Sequence, residues 1–404
     1  MARGLFAVLE NEIIEPVEAP QDERVVELEE QVAQGEVAEA SQEVEEAGDT
    51  VDEAVTAIEE LSEVADVMAD SAEEGEGLTE DAAEIAEVAV EAICARLGYK
   101  PSKKPIPSME AFGSTSSRLD ATKYALEGIA DTIRNIWNAI KGFFGRIWEG
   151  IKGLWARLFD AGTKIKVRAE KLDEKLKAAE DGKFEADKEK KIDAAKFCTV
   201  FNAKSGDVVA EAAIEVLGAH GAAVAKQAKI NAELVSLFEK AEKADSVDEV
   251  KSVMQASVNS LVGDKNTYAF GNTMKAETDE AKGVTTFSLT QSETKVEKAE
   301  IAPVALGDLK DVLGSVKEFQ KTMEAAKANV AKAEATVKKG IAAAEKLSKD
   351  EKADAEVSKA RASAFKNGQA ALVIINSKLP ALGTKAASAA LDFVATNLAA
   401  YKAA

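Results

Sequence analysis

The chain has 404 residues, with 46% hydrophobic but only 5% aromatic side chains, 7 prolines, one histidine and two cysteines, Cys94 and Cys198. That is enough length for two or three domains and too few cysteines for a disulfide framework, so two buried free thiols are expected. The net charge of −21 is not evenly spread: the first 110 residues hold 25 Glu and 6 Asp against 6 Lys and Arg, a net of −25, and the remainder carries +4.

The opening stretch MARGLFAVLENEII has a short apolar run with acids close behind, which does not read as a secretory signal. No run of about 18 apolar residues stands out as a conventional membrane span. A disordered start is expected to give way to two acidic amphipathic helices in a loose hairpin. In the first, Val51, Val55, Ile58, Leu61, Val64 and Met68 recur every three or four residues; in the second the stripe is Ile85, Val88, Ala92, Ile93 and Leu97. Gly98 is placed to cap the second helix. The competing reading of this quarter is a solubilising acidic tail.

PSKKPIPSMEAFGSTSS, residues 101–117, follows. Pro101, Pro105 and Pro107 favour extended backbone in the residues before them, and GSTSS is small and flexible. An exposed extended segment is what a protease grips, so a linker over 111–117 and a processing site are both expected readings.

Residues 118–162 place Ile129, Ile133, Ile136, Trp137, Ile140, Phe143, Phe144, Ile147, Trp148, Ile151, Leu154, Trp155, Leu158 and Phe159 on one helical stripe. All three tryptophans, Trp137, Trp148 and Trp155, lie here. Arg134, Lys141, Arg146, Lys152 and Arg157 line the other face. Gly142, Gly145, Gly150 and Gly153 each cost helicity, so this helix needs a docking surface: the protein's own core, a second copy, a larger assembly, or, for residues 126–160, a membrane surface.

From 163 to 404 the pattern is a helical body. A charged helix ends at Gly182. Another runs from a cap at Ser205 to about Lys243. Ser246 and Glu249 form a capping pattern. One long helix is expected over 307–348. The alternating Thr-, Phe- and Tyr-rich runs around DEAKG predict a small β-hairpin near 266–292. The expected fold is therefore mainly α, with an acidic segment over 1–110 and a bundle carrying one hairpin.

Catalytic signatures are thin. His220, in GAHGAA, has no Cys or acid at ligand spacing, and neither CxxC, HExxH, GxSxG nor a phosphate-binding glycine loop occurs. The chain is read as a non-enzyme without metal or organic cofactor.

The stretch SMEAFGSTSSRLDATKYALEGIADTIRNIWNAI and the tryptophan helix beyond it resemble the internal head proteins of giant phiKZ-like tailed bacteriophages. The resemblance covers about residues 105–165. It implies a virion protein inside the phage head, present in the host cytoplasm before assembly, whose N-terminal propeptide the prohead maturation protease removes after a glutamate in a small-x-Glu motif. Ser108-Met109-Glu110 fits that motif, with Ala111 as the new N-terminus. Ser41-Gln42-Glu43 and Ser71-Ala72-Glu73 fit it too. The expected partners are that protease, other head or scaffold proteins and other copies of the chain. A body of +4 supports only weak, salt-sensitive contact with DNA.

Overall fold

In the computed structural model the described residues are 23–403 apart from 102, 183, 188, 263–265, 280–283, 293–295, 297–298 and 351–354. The expected disordered start lies outside them, as does the DEAKG turn apart from Asp279. The fold is mainly α, about 80% helical.

Alanine, glutamate and long aliphatic residues, uninterrupted by proline, wind residues 23–73 into helix α1 (Glu23–Glu73). A turn through Gly75 and Gly77, both at positive φ, leads into α2 (Glu80–Arg96). At its end Gly98 adopts φ +62°, the Tyr99 N–H reaches the Cys94 carbonyl at 2.9 Å and the Gly98 N–H the Ala95 carbonyl at 3.0 Å, the two bonds of a Schellman cap. Then comes α3 (Thr115–Asp181), 67 residues and about 100 Å long at 1.5 Å per residue.

The acidic helices are core elements, not a loose tail. On α1, Val44, Val51, Val55, Ile58 and Leu61 are fully buried against α3 and against α9 (Ala355–Val373). Where α1 lies along α3, a Cβ on Gly150 would meet Val44 Cγ2 at 2.8 Å, so the glycine lets the helices close up. The stripe on α2 differs from expectation. Ile85 and Val88 are exposed, whereas Ala83, Ala86, Val90, Ile93 and Cys94 face inward.

The tryptophan helix does not stop near 162. It continues through the charged stretch to Asp181, because Ile165, Ala169, Leu172 and Leu176 keep the buried stripe in phase. Its apolar side is consumed inside the fold by α1, α9, α7 (Leu306–Ala325), α8 (Val330–Leu347) and α10 (Leu379–Leu398). Trp137 stands edge-on to Phe365 of α9 at 4.9 Å, and Phe144 edge-on to Phe238 at 5.6 Å. The membrane-surface reading of residues 126–160 is corrected accordingly.

Phe238 belongs to α5 (Val209–Ala241), the helix around which α7, α8, α9 and α10 gather. Among the described residues, Gly206–Ala241 is the one helical stretch long and apolar enough to cross a membrane, with mean hydropathy 1.5 in its most apolar window. Glu211, Glu215 and His220 interrupt it, so the sequence shows no unbroken apolar run there. Here its Val216, Leu217, Val224, Leu234 and Leu237 are buried in the bundle.

Smaller differences follow local chemistry. Ser205 makes no side-chain cap; a 3-10 turn over Gly206–Val208 opens α5 instead. The expected helix over 307–348 is broken by a 3-10 turn at Ala326–Asn329 between α7 and α8. Ser246 does cap α6 (Val247–Val262): its Oγ accepts the Glu249 N–H at 3.3 Å, and Glu249 Oε2 accepts the Asp245 N–H at 2.9 Å.

Among the described residues the remaining α-helix is the short α4 (Ala195–Phe201). The strands are β1 (Phe184–Ala186), β2 (Ile192–Asp193), β3 (Thr267–Tyr268), β4 (Asn272–Asp279), β5 (Val284–Gln291), β6 (Glu300–Ile301) and β7 (Tyr401–Ala403). The predicted hairpin is β4–β5, antiparallel with Asn272 opposite Gln291 and Asp279 opposite Val284; β3 extends it to three strands. Two further antiparallel pairs, β1–β7 and β2–β6, were not foreseen.

Candidate processing site and the acidic clasp

The junction between acidic segment and body is built from both sides. After the α2 cap, Lys104 pairs with Glu87 at 2.8 Å and Ile106 is buried at 1% exposure. The Pro105 backbone lies so close to α3 that a Cβ on Gly128 would meet the Pro105 oxygen at 2.3 Å. On the far side Phe112 is fully buried and its carbonyl accepts the Arg118 Nε–H at 2.8 Å. Ser114 then caps α3, its Oγ accepting the Ser117 N–H at 3.4 Å.

Between these two anchors Ser108 and Glu110 are exposed and Ala111 is half-buried. Ser108 is extended (φ −62°, ψ 146°), as the prolines suggested, but Met109–Phe112 form a 3-10 turn in which the Ala111 N–H donates to the Ser108 carbonyl at 2.9 Å. A protease that binds extended chain would have to open this turn. The other two Ser-x-Glu triplets sit inside α1, and Ser41 is only 7% exposed and bonded to Ser377 Oγ at 3.1 Å. Of the three, only residues 108–110 lie outside an α-helix.

The packing residues do not form one site with the junction; they are spread along α3. Trp137 is 3% exposed, Phe144 0% and Trp155 1%. Trp148 is only half-buried, with the Lys152 ammonium 5.9 Å from its ring centre, so two of the three indoles are fully buried.

Sequence reasoning missed the polar ties that hold α1 to the body. Arg168 on α3 reaches Glu30 of α1 at 3.2 Å and Asp392 of α10 at 2.7 Å. These acids hold the guanidinium well above its ordinary range despite its burial. Lys378 pairs with Glu45 at 3.0 Å, and Lys359 with Glu63. Asp52 is pushed up to about 6, chiefly by burial, with Asp49 and Glu59 adding repulsion and Lys366 and Lys378 opposing it. Burial raises Glu59 as well.

A second missed cluster sits where α9 passes into α10 through a π-turn, Ile374–Lys378. Asn376 Nδ2 donates to Asn231 Oδ1 and Asn231 Nδ2 to Asn376 Oδ1, both at 3.0 Å, and Gln227 Nε2 donates to Asn376 Oδ1 at 2.9 Å. Trp155 Nε1 donates to the Asn376 carbonyl at 3.0 Å, and Thr336 Oγ1 to the Asn231 carbonyl at 3.0 Å. All five residues are buried, and they fix the mutual register of four elements. Three separated amides and a threonine give no sequence pattern that would announce this.

His220 is fully buried beside Tyr268 and Phe319, and its Nε2 accepts the Ala269 N–H at 3.1 Å. Burial pushes its pKa down to about 3. Cys94 and Cys198 are buried free thiols, both raised by burial. Among the described residues no group of three His, Cys, Asp or Glu is placed to hold a metal ion.

Long helices sharing one core, a buried polar pin and an acidic helix clasped in the bundle define a large helical-bundle protein. The chain belongs to the phiKZ-like phage internal head proteins, the family that matches residues 23–396, from the first turn of α1 to the last of α10. It is thus a bacteriophage protein of the head interior. No curated protein and no solved structure matches the chain.

Proposed function

We propose that this head protein is made as a precursor in the host cytoplasm and is cut after Glu110, during head maturation, by a protease supplied in trans. The observation that supports this best is the position of Ser108-Met109-Glu110: outside any α-helix, with Ser108 and Glu110 exposed, and at the point where the charge changes from −25 to +4. The protease would read the Glu110 carboxylate with a basic pocket and Ser108 with a shallow one. The acidic segment supplies the negative surface through which basic head or scaffold proteins, or further copies of the chain, gather during assembly. A body of +4 tolerates packaged DNA better than a chain of −21 and makes at most weak, salt-sensitive contact with it. Neither a cofactor nor a reaction of its own is part of this reading.

Mass spectrometry of the N-terminal peptide of the protein from mature particles tests it. The expected first residue is Ala111. Particles in which no chain begins at Ala111 overturn the proposal and leave the acidic helices covalently joined to the body.

A further inference from the structure

Four fully buried branched side chains, Val51, Val55, Ile58 and Leu61, with Val44 a few turns earlier, seat α1 in a trough walled by α3, α9 and α10. Ion pairs Glu30–Arg168, Glu45–Lys378 and Glu63–Lys359 stitch both rims, and Ser41 meets Ser377 midway. None of these contacts involves the Glu110–Ala111 bond. That bond lies in a short exposed bridge, with Ile106 anchored before it and Phe112 after it.

We infer that the acidic segment stays docked after the bond is cut, so that residues 1–110 and 111–404 persist as one two-chain particle. The trough on the body is a protein-binding surface whose occupant is this chain's own acidic segment. The biological meaning rests on the proposed cut after Glu110; the docking itself does not.

Hydrolysis adds one water across the bond, leaving a carboxylate on Glu110 and an ammonium on Ala111. Net charge is therefore unchanged by the cut. Both new charges arise where the chain is exposed or half-buried, so neither must be desolvated. The contact runs along most of a 51-residue helix, and its centre is apolar. That is the character of obligate interfaces rather than of transient ones. The change from −21 to +4 is then a second event, separate from proteolysis. It requires force, competition or further digestion to lift α1 out, and until then the particle keeps its acidity.

The test uses the full chain with a recognition sequence for a site-specific endoprotease inserted between Glu110 and Ala111. After complete cutting, size-exclusion chromatography and native mass spectrometry read the assembly. The expected result is a single species of uncut mass with under about a tenth of the segment free at ~1 μM, a Kd below about 10 nM. It should persist in about 1 M salt, because screening weakens the rim pairs but not the apolar centre. Separate elution of the two pieces, or precipitation of the body on cutting, overturns the inference.

Two readouts guard against ambiguity. Amide exchange over residues 44–61 should be equally protected before and after cutting, and lost protection counts against docking. Val55→Ala with Ile58→Ala should release the segment from cut chains while uncut chains keep it, because the tether holds its effective concentration near millimolar. Equal retention in both would show that the trough is not what holds it. Sequencing of the protein from particles tests the natural cut independently, so either reading can fail without the other.

Discussion

Glu30 and Arg168 meet at 3.2 Å with their side chains only 1% and 9% exposed, joining the acidic helix α1 to the C-terminal third of α3. Asp392 takes the other arm of the guanidinium from α10. Three elements from the two ends and the centre of the sequence thus converge on one buried cation.

Removing that cation should be costly. Arg168→Met leaves Glu30 buried without its partner, and breaking such a pair costs about 3–5 kcal/mol. Chemical denaturation should show this loss, and Glu30→Leu combined with Arg168→Met should recover most of it. If the single variant is as stable as the parent, the pair contributes nothing to holding α1.

The Phe144 ring fixes how closely α8 can approach α3. A Cβ on Gly340 would meet Phe144 Cε1 at 2.7 Å. Gly340→Ala should therefore destabilise the protein by about 1–3 kcal/mol through overpacking, and a smaller side chain at 144 should partly relieve it. Thermal melts of Gly340→Ala alone and together with Phe144→Leu provide the check, and additive losses would count against this contact.

The tryptophans should differ in weight. Trp155→Phe leaves the buried Asn376 carbonyl without its indole donor, a loss of about 1–3 kcal/mol. Trp148→Phe should cost less, since that ring is only partly buried. Equal losses in denaturant titrations would mean that the polar pin around Asn376 is not a stability element.

Asp52 gives α1 a pH dependence with a definite sign. Its folded pKa of about 6 lies above the ordinary 3.8, so between those values the folded state holds a proton that the unfolded chain lacks. The contribution of this residue therefore falls as pH rises through that window, and the penalty is complete above about pH 6. Asp52→Asn should be more stable than the parent at pH 8 by about 1–3 kcal/mol, with the difference vanishing near pH 4. A constant offset across that range would contradict the assignment.

Under the proposed processing, cutting after Glu110 should be limited by opening of the 3-10 turn rather than by access to Glu110 itself. Where cleavage samples an open state, its rate follows that state's population. Phe112→Ala, which loosens the anchor just past the bond, should speed cutting by the prohead protease about tenfold or more. Glu110→Gln should leave the chain full length in particles. Gel analysis over time distinguishes the two, and a slower Phe112→Ala would reverse the argument.

Much of this was readable from spacing. The three-and-four rhythm of Val51, Val55, Ile58, Leu61 and Met68 marked the buried face of α1, the isoleucines and tryptophans did so for α3, and Gly98 and the Ser246–Glu249 pair marked helix ends. Periodicity names a face but not its partner. It could not say that the faces of α1 and α3 meet, nor choose between two interleaved stripes on α2, where Ala86 won over Ile85. Contacts such as Trp155 to Asn376 join residues far apart in sequence through single polar atoms, which leave no periodic trace. At the junction the prolines and serines marked exposure correctly for Ser108 and Glu110, but the turn from Met109 to Phe112 depends on two aromatic and aliphatic anchors whose burial is a tertiary fact.

The pairing of Phe184 with Ala403 bears on how the chain comes together. It closes the loop formed by the entire C-terminal body, while only three residues on each side take part. Closing so long a loop costs entropy that three residue pairs cannot offset by themselves. The two strands can meet only after α3 and α10 have been set in place by the core between them. Helical contacts local in sequence should form early, and this pair should form last and part first on heating. A fluorophore pair across Phe184 and Ala403 would then lose its signal before the helical circular dichroism changes, giving a direct view of the final step of folding.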